Sequence, residues 1–373
     1  MSISIKPIDS KADKKRFIKM MWGIYKDDPH WVPPLIFDRM KLLDTEKNPF
    51  YRHATIQLFI AERDGEIIGR IAAIKNAHHN TVHGDKVGFY GFFECINDAS
   101  VSKALFDAAA NWLRARGMDT MRGPINPSVN DEIGLLIEGF DSSPVVLMTY
   151  NPRYYVDLVE GYGFTKEKDL YAYLLQKERT LSDKLVRVQA LVRERDAVTI
   201  RNIDLKHLDA EVKVLRDLYN RAWEKNWGAV AMTDAEFDYL AGDLKQVISP
   251  FPEFAMIAER KGEAVGFALV LPDINQPLKK NRTGWLIPGA IRLLLGMKKV
   301  DLVRILVLGV VKEFRSRGID SVMYYEIWER AKKRGIYRGE ASWVLEDNVM
   351  MNRAAELMNA ERYKTYRIYD YAL

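Results

Sequence analysis

Residues 257–266 read Ile-Ala-Glu-Arg-Lys-Gly-Glu-Ala-Val-Gly, and residues 60–69 read Ile-Ala-Glu-Arg-Asp-Gly-Glu-Ile-Ile-Gly. The two blocks lie 197 residues apart (257 − 60). In each, apolar β-formers flank a charged x-Gly-Glu step, the pattern of a β-hairpin whose turn needs positive φ at Gly65 and Gly262. Self-similarity at this distance predicts a chain built from two copies of one supersecondary unit.

The rest of each copy falls into place around its hairpin. Tyr171-Ala-Tyr173 closes the first half and Tyr369-Asp-Tyr371 the second. Between hairpin and closing strand runs an amphipathic helix ending in a basic residue and glycine: Ala104 to Arg116-Gly117, then Ser321 to Arg334-Gly335. Leu105, Ala108, Ala109 and Trp112 recur at helical spacing in the first, as do Val322, Ile327 and Ala331 in the second. Strands are expected at Thr120–Gly123 and over 337–345. Each half therefore reads hairpin, strand, helix, strand, helix, strand. The fold class is α/β, with two tandem units, each a mixed and mostly antiparallel sheet flanked by helices. The expected divisions are 1–178, a helical linker over 179–199, and 200–373.

Composition agrees with two packed cores. The chain has 373 residues, of which 48% are apolar, with 56 basic against 51 acidic side chains. A net charge of +5 favours anionic ligands without pointing to nucleic acid, and no basic run carries interleaved aromatics. One cysteine, Cys95, cannot form an internal disulfide. It reads as a buried small residue in a chain expected to be cytoplasmic. No apolar run reaches the length of a membrane span, and no metal-ligand pattern stands out.

Residues 305–319 carry the sharpest chemical signal: Ile-Leu-Val-Leu-Gly-Val-Val-Lys-Glu-Phe-Arg-Ser-Arg-Gly-Ile. An apolar strand enters a tight basic turn that opens a helix. Free backbone N–H groups at a helix start, with the positive end of its dipole, suit a pyrophosphate. Gly318 permits close approach, and Arg315 and Arg317 add charge. The segment resembles the acyl-CoA motif of the GNAT (GCN5-related N-acetyltransferase) superfamily, a strand followed by Arg/Gln-x-x-Gly-x-Gly/Ala and a helix. The resemblance implies that Leu308, Gly309 and Val310 offer strand-edge groups to the pantetheine amides. It also implies that Arg315, Ser316, Arg317, Gly318, Ile319 and Asp320 surround the diphosphate, and that the Val310 N–H holds the oxyanion. Asp320 departs from the pattern, since Gly or Ala is usual there. It either joins the helix N-terminus, where acids are favoured, or alters phosphate binding. An ordinary strand-to-helix turn is the plainer reading of Arg-x-x-Gly.

Downstream, Trp343-Val-Leu-Glu-Asp-Asn348 precedes a helix over 349–358 and a Tyr-rich last strand. This order resembles the second GNAT motif. By resemblance Asn348 meets the pantetheine arm, and as a bare sequence feature it is a helix N-cap. The tyrosine that protonates the leaving thiolate in many family members would fall on Ala355, so Tyr363 and Tyr366 are the substitutes at hand. Amine attack on a thioester also needs a proton acceptor. Glu340, Glu346 and Glu94 are the candidates, against the commoner reading of a carboxylate on a strand edge.

The first half has no basic turn: 89–98 runs directly into its helix. It carries instead Gly123-Pro-Ile-Asn-Pro-Ser-Val-Asn130, then 134–140 and Asn151-Pro-Arg-Tyr-Tyr155. These read as packed turns, or as a wall shaping the acceptor site in a unit that has lost CoA binding.

One insertion remains. Over 277–300, Trp285, Leu286, Ile287, Ile291, Leu293, Leu294, Leu295 and Met297 are flanked by Lys279, Lys280, Arg282, Lys298 and Lys299. It reads as a buried helix between domains, as a tunnel lid, or, over 284–299, as a peripheral membrane contact, which would place the protein at the inner membrane. The segments 123–128 and 363–369 resemble a bacterial group that includes ceramide synthase-like acyltransferases. That resemblance implies a long-chain acyl-CoA and a long-chain, sphingoid-type amine. The alternatives are acetyl-CoA with a small amine or amino acid, and a non-catalytic acyl-CoA or lipid-binding protein.

Overall fold

A computed structural model describes residues 2–223 and 227–373. Its strands, in chain order, are β1 (Ser4–Ile8), β2 (Ala54–Arg63), β3 (Glu66–Asn76), β4 (Val87–Cys95), β5 (Thr120–Gly123), β6 (Ile125–Asn126), β7 (Glu132–Ile133), β8 (Leu135–Glu138) and β9 (Thr165–Leu175). There follow β10 (Val198–Asn202), β11 (Ala255–Arg260), β12 (Glu263–Pro272), β13 (Leu302–Val310), β14 (Arg338–Leu345) and β15 (Glu361–Ala372). The chain forms two compact units that interleave in sequence. The first holds Met1–Leu170, Asn275–Gly296 and Lys364–Leu373; the second holds Tyr171–Ile274 and Met297–Tyr363.

Both units repeat one topology. In the first, β1-β2-β3-β4 pair antiparallel in that order and β4 pairs parallel with β5. In the second, β10-β11-β12-β13 pair antiparallel and β13 pairs parallel with β14. A parallel pair cannot be joined by a hairpin, so each needs a crossover helix. Ala99–Arg114 and Ile319–Lys333 supply it.

The sequence repeat is a structural repeat down to single residues. Asp64 and Gly65 have φ of 54° and 84°, and Lys261 and Gly262 have 51° and 81°. Two consecutive left-handed residues give the turn whose twist matches the flanking strands. Each hairpin then slips register at the same point, after Ala61 in the first and after Ala258 in the second.

The crossover helices bury one face. Val101, Leu105, Ala109 and Leu113 are buried in the first, with Ala108 and Trp112 half-buried beside them. Ile319, Val322, Met323, Ile327 and Ala331 are buried in the second. Gly88 lets the first helix sit close, since a Cβ there would lie 2.4 Å from Leu113 Cδ2. The helix Asp183–Asp196 packs within the second unit, where its Arg193 reaches Glu326 of the crossover helix at 2.7 Å. Cys95 is buried in the first core, and burial pushes its thiol up to about 12.

Candidate active site

The site begins where two strands part. β13 and β14 pair from Leu302↔Arg338 to Ile305↔Ala341 and no further, while β13 stays paired with β12 as far as Val310↔Gly266. Val311 donates to the Val265 carbonyl at 2.9 Å. Hydrogen bonds in an antiparallel ladder alternate, so Leu308 and Val310 turn their N–H and C=O groups away from β12. That leaves a strand edge open beyond Ile305. A register shift between Leu269 and Val270 gives β13 one extra residue at Leu306 and bends it there.

The turn at the end of β13 is built for close approach. Lys312–Phe314 form one 3-10 turn, Ser316 has φ of 60° and Gly318 of 83°, and the helix starts at Ile319. Among the described residues, no acceptor meets the N–H groups of Ser316, Arg317, Gly318 or Ile319. Alternating left-handed residues with unmet N–H groups at a helix start form an anion cradle. Gly318 is required twice over: its φ disfavours any side chain, and a Cβ would lie 3.0 Å from Val192 and 3.3 Å from Val188.

The charged residues of the turn have separate tasks. Arg315 is spent on the backbone, donating to the Val310 carbonyl at 3.2 Å and to the Ala222 carbonyl. Arg317 is exposed, with its guanidinium 5.4 Å from the Phe314 ring centre. Asp320 lies in the first turn of the helix it belongs to, where an acid suits the positive end of the dipole. Burial nevertheless raises its pKa above the ordinary value. Asn348 is the N-cap of Val349–Leu357 and accepts the Met351 N–H at 3.2 Å. Asn352, which the sequence did not single out, donates to the carbonyls of Leu345 and Asn348 at 3.1 and 3.0 Å and accepts the Tyr173 hydroxyl at 2.7 Å.

Glu340 differs from an exposed carboxylate on a strand edge. It is 1% exposed. One oxygen accepts the Ser342 hydroxyl at 2.6 Å and the other accepts the Tyr363 hydroxyl. Arg304, equally buried, donates to Ser342 at 3.1 Å and stands 3.9 Å from Glu340. This is a closed buried network, and Tyr363 belongs to it. Glu346 is half-buried just past the end of β14. Tyr366 is fully buried in the first unit. Beneath the crossover helix, Val303, Ile305, Tyr324, Trp328, Ala341 and Met358 line an apolar cleft inside the second unit.

The equivalent edge in the first unit is closed. β4 and β5 pair only from Val87↔Thr120 to Phe89↔Arg122. Ile125 and Asn126 then enter the gap: a Cβ on Gly91 would lie 1.9 Å from the Ile125 carbonyl oxygen, and Asn126 Oδ1 accepts the Phe92 N–H at 2.6 Å. Cys95 stands opposite Gly69 as Val310 stands opposite Gly266. Its N–H donates to the Tyr155 hydroxyl at 2.9 Å, and its carbonyl accepts from Tyr154 at 2.7 Å. Tyr155 donates to Glu94 at 2.7 Å and Tyr25 does so at 3.0 Å. Burial raises the Glu94 pKa against the opposing pull of Arg70, 3.6 Å away. The Asn- and Pro-rich segment after Gly123 thus occupies its own unit's strand gap.

Comparison with known proteins agrees with this geometry. The sequence profile described as the Acetyltransferase (GNAT) family matches residues 212–358. The chain is 38% identical to the bacterial ceramide synthase of Caulobacter vibrioides, over 100% of this chain and 98% of that protein. It is 35% identical to protein YghO of Escherichia coli, over 97% and 93%. In structure it resembles a tandem GNAT protein from the clavulanic acid biosynthesis pathway, with a TM-score of 0.60 at 11% identity, covering 100% of this chain and 98% of that one. The chain belongs to the GNAT superfamily, and its class of reaction is acyl transfer from an acyl-CoA to an amine.

Proposed function

We propose that the second unit holds the acyl-CoA and that the protein transfers a long acyl chain onto a long-chain, sphingoid-type amine. The open edge of β13 carries the reading: among the described residues, only there do unpaired strand amides lead into a cradle of free N–H groups. Leu308 would pair with the pantetheine amides, and Gly309 leads from it to Val310. Ser316, Arg317, Gly318 and Ile319 would take the diphosphate through their N–H groups. Arg315 fixes the turn by tying it to Val310 and Ala222, and Asn348 fixes the start of the helix that follows.

The chemistry asks for three things. The amine lone pair attacks the thioester carbon, the carbonyl oxygen gains charge, and the C–S bond breaks as the thiolate leaves with a proton. The Val310 N–H faces the gap and would stabilise the oxygen, as preorganised donors do. Glu346, just past the end of β14, would accept the ammonium proton. Glu340 and Tyr363 position β14 rather than exchange protons, because their polar atoms are committed to each other, Ser342 and Arg304. No tyrosine of the helix Val349–Leu357 is available to the thiolate, so its proton comes from elsewhere in the gap.

One observation favours a long chain over a small one. The full-length relative at 38% identity is named a ceramide synthase. Calorimetry with acetyl-CoA and palmitoyl-CoA tests the donor, and mass detection of the amide formed from a sphingoid base tests the acceptor. Heat with palmitoyl-CoA and a long-chain amide are expected. No heat with either thioester at millimolar concentration would reject the reading.

A further inference from the structure

The helix Leu286–Gly296 is built inside out. The residues it turns toward the first unit are glycines. A Cβ at Gly289 would lie 2.7 Å from Leu35 Cδ2, and one at Gly296 would lie 2.5 Å from Pro277 Cβ. The residues it turns toward solvent are apolar: Ile287 is 75% exposed, Leu294 81% and Leu295 71%, with Trp285, Leu286 and Ile291 about half exposed. A surface helix folding for stability alone does the reverse.

The segment is also held firmly. Asn281, 2% exposed, donates to the Trp285 carbonyl at 3.0 Å. Gly284 accepts the Ile36 N–H at 2.9 Å, and Trp22 donates to the Arg282 carbonyl at 2.7 Å. The apolar face is therefore presented on a fixed platform. Its charge is one-sided: residues 274–300 hold six basic side chains and no acidic one. Lys15 and Lys19 add to this from the N-terminal helix, 5.0 and 5.8 Å from the Trp285 ring centre. No helix of the described residues is long and apolar enough to cross a bilayer.

We infer that Leu286–Gly296 lies in the surface of an anionic lipid membrane, with Ile287, Leu294 and Leu295 among the acyl chains and the surrounding lysines and arginines at the headgroups. An apolar face rimmed by cations has the charge and depth of an interfacial helix. A second copy of this chain would bring the same positive rim against itself, which disfavours self-association. The inference stands apart from the acyl-transfer reading, because it is tested without acyl-CoA or turnover.

Full-length protein is sedimented with vesicles of phosphatidylglycerol mixed with phosphatidylcholine, and with vesicles of phosphatidylcholine alone. Binding to the anionic vesicles is expected, with a loss of roughly tenfold or more on the neutral ones. The double variant I287D/L294D should lose vesicle binding while keeping its thermal midpoint, since both side chains are exposed in the free protein. Trp285 fluorescence in the unaltered chain, read against W285F, should shift to the blue on anionic vesicles and be quenched by brominated lipid. Absence of vesicle binding, equal binding by I287D/L294D, or an unshifted Trp285 would overturn the inference. So would a dimer in free solution that the double variant dissolves.

Discussion

Asn126 Oδ1 accepts the Phe92 N–H at 2.6 Å, inside the gap that opens between β4 and β5. The corresponding gap between β13 and β14 opens beyond Ile305↔Ala341. One fold thus appears twice, once with its strand edge satisfied by its own chain and once with that edge open. A strand edge away from water must find partners, so closure of the first gap stabilises that unit, and the second gap is where we propose that the acyl-CoA binds.

Asn126→Ala should destabilise without touching the donor site. It leaves the Phe92 N–H without its acceptor, at a cost of about 1–3 kcal/mol. Thermal unfolding should show the drop, while calorimetry with acyl-CoA should return an unchanged affinity. A large loss of acyl-CoA affinity at unchanged stability would instead place the donor in the first unit.

Gly318→Val should damage the diphosphate cradle. A side chain at φ of 83° costs about 1–2 kcal/mol, and this one also presses on Val192 and Val188. The expected result is a fall of roughly tenfold or more in acyl-CoA affinity with a modest loss of stability. Wild-type affinity in a folded Gly318→Val protein would remove the cradle from the mechanism.

Glu340→Ala should behave as a stability mutation. It strands buried Arg304 without its carboxylate, and breaking a buried charge pair costs about 3–5 kcal/mol. Glu340→Gln keeps the shape and some of the hydrogen bonds and should unfold at an intermediate temperature. If Glu340→Gln instead kept full stability and lost turnover at saturating substrate, Glu340 would be a proton-transfer group after all.

Asp320→Asn should raise stability at neutral pH. Burial raises the folded-state pKa of Asp320 above its ordinary 3.8. Between those two values the folded chain holds more protons than the unfolded one, so stability falls as pH rises through that window. Above it the full cost persists, and below pH 3.8 it disappears. The variant's advantage should therefore be present at pH 7 and shrink on acidification. On the proposed reading the same change removes a negative charge beside the diphosphate, which should tighten acyl-CoA binding, and less so at high salt. Weaker acyl-CoA binding by Asp320→Asn would show that the carboxylate supports the cradle instead.

Much of the fold was legible because it rests on local chemistry repeated twice. The x-Gly-Glu turns require left-handed φ, and Asp64-Gly65 and Lys261-Gly262 adopt it. The strand Thr120–Gly123 and the helix at Val349 follow from periodicity and capping, which act within a few residues. Gly318 could be marked because it stands in an Arg-x-x-Gly stretch between an apolar strand and a helix. Glu340 was harder to read: Ser342 is its neighbour on the same strand face, but nothing nearby in sequence says that Arg304 and Tyr363 will converge on it and seal it from water.

By itself, the sequence determined the hairpin repeat, the α/β class and the strand–turn–helix at 305–319, since each depends on backbone preferences and spacing along the chain. The tertiary structure alone decided that Ile125 and Asn126 fill the first gap, that 275–296 and 364–373 join the first unit, and that the helix at 286–296 shows its leucines to the outside. Those outcomes depend on which surfaces meet across long separations. Packing of distant surfaces carries no periodic trace in the residues that take part in it.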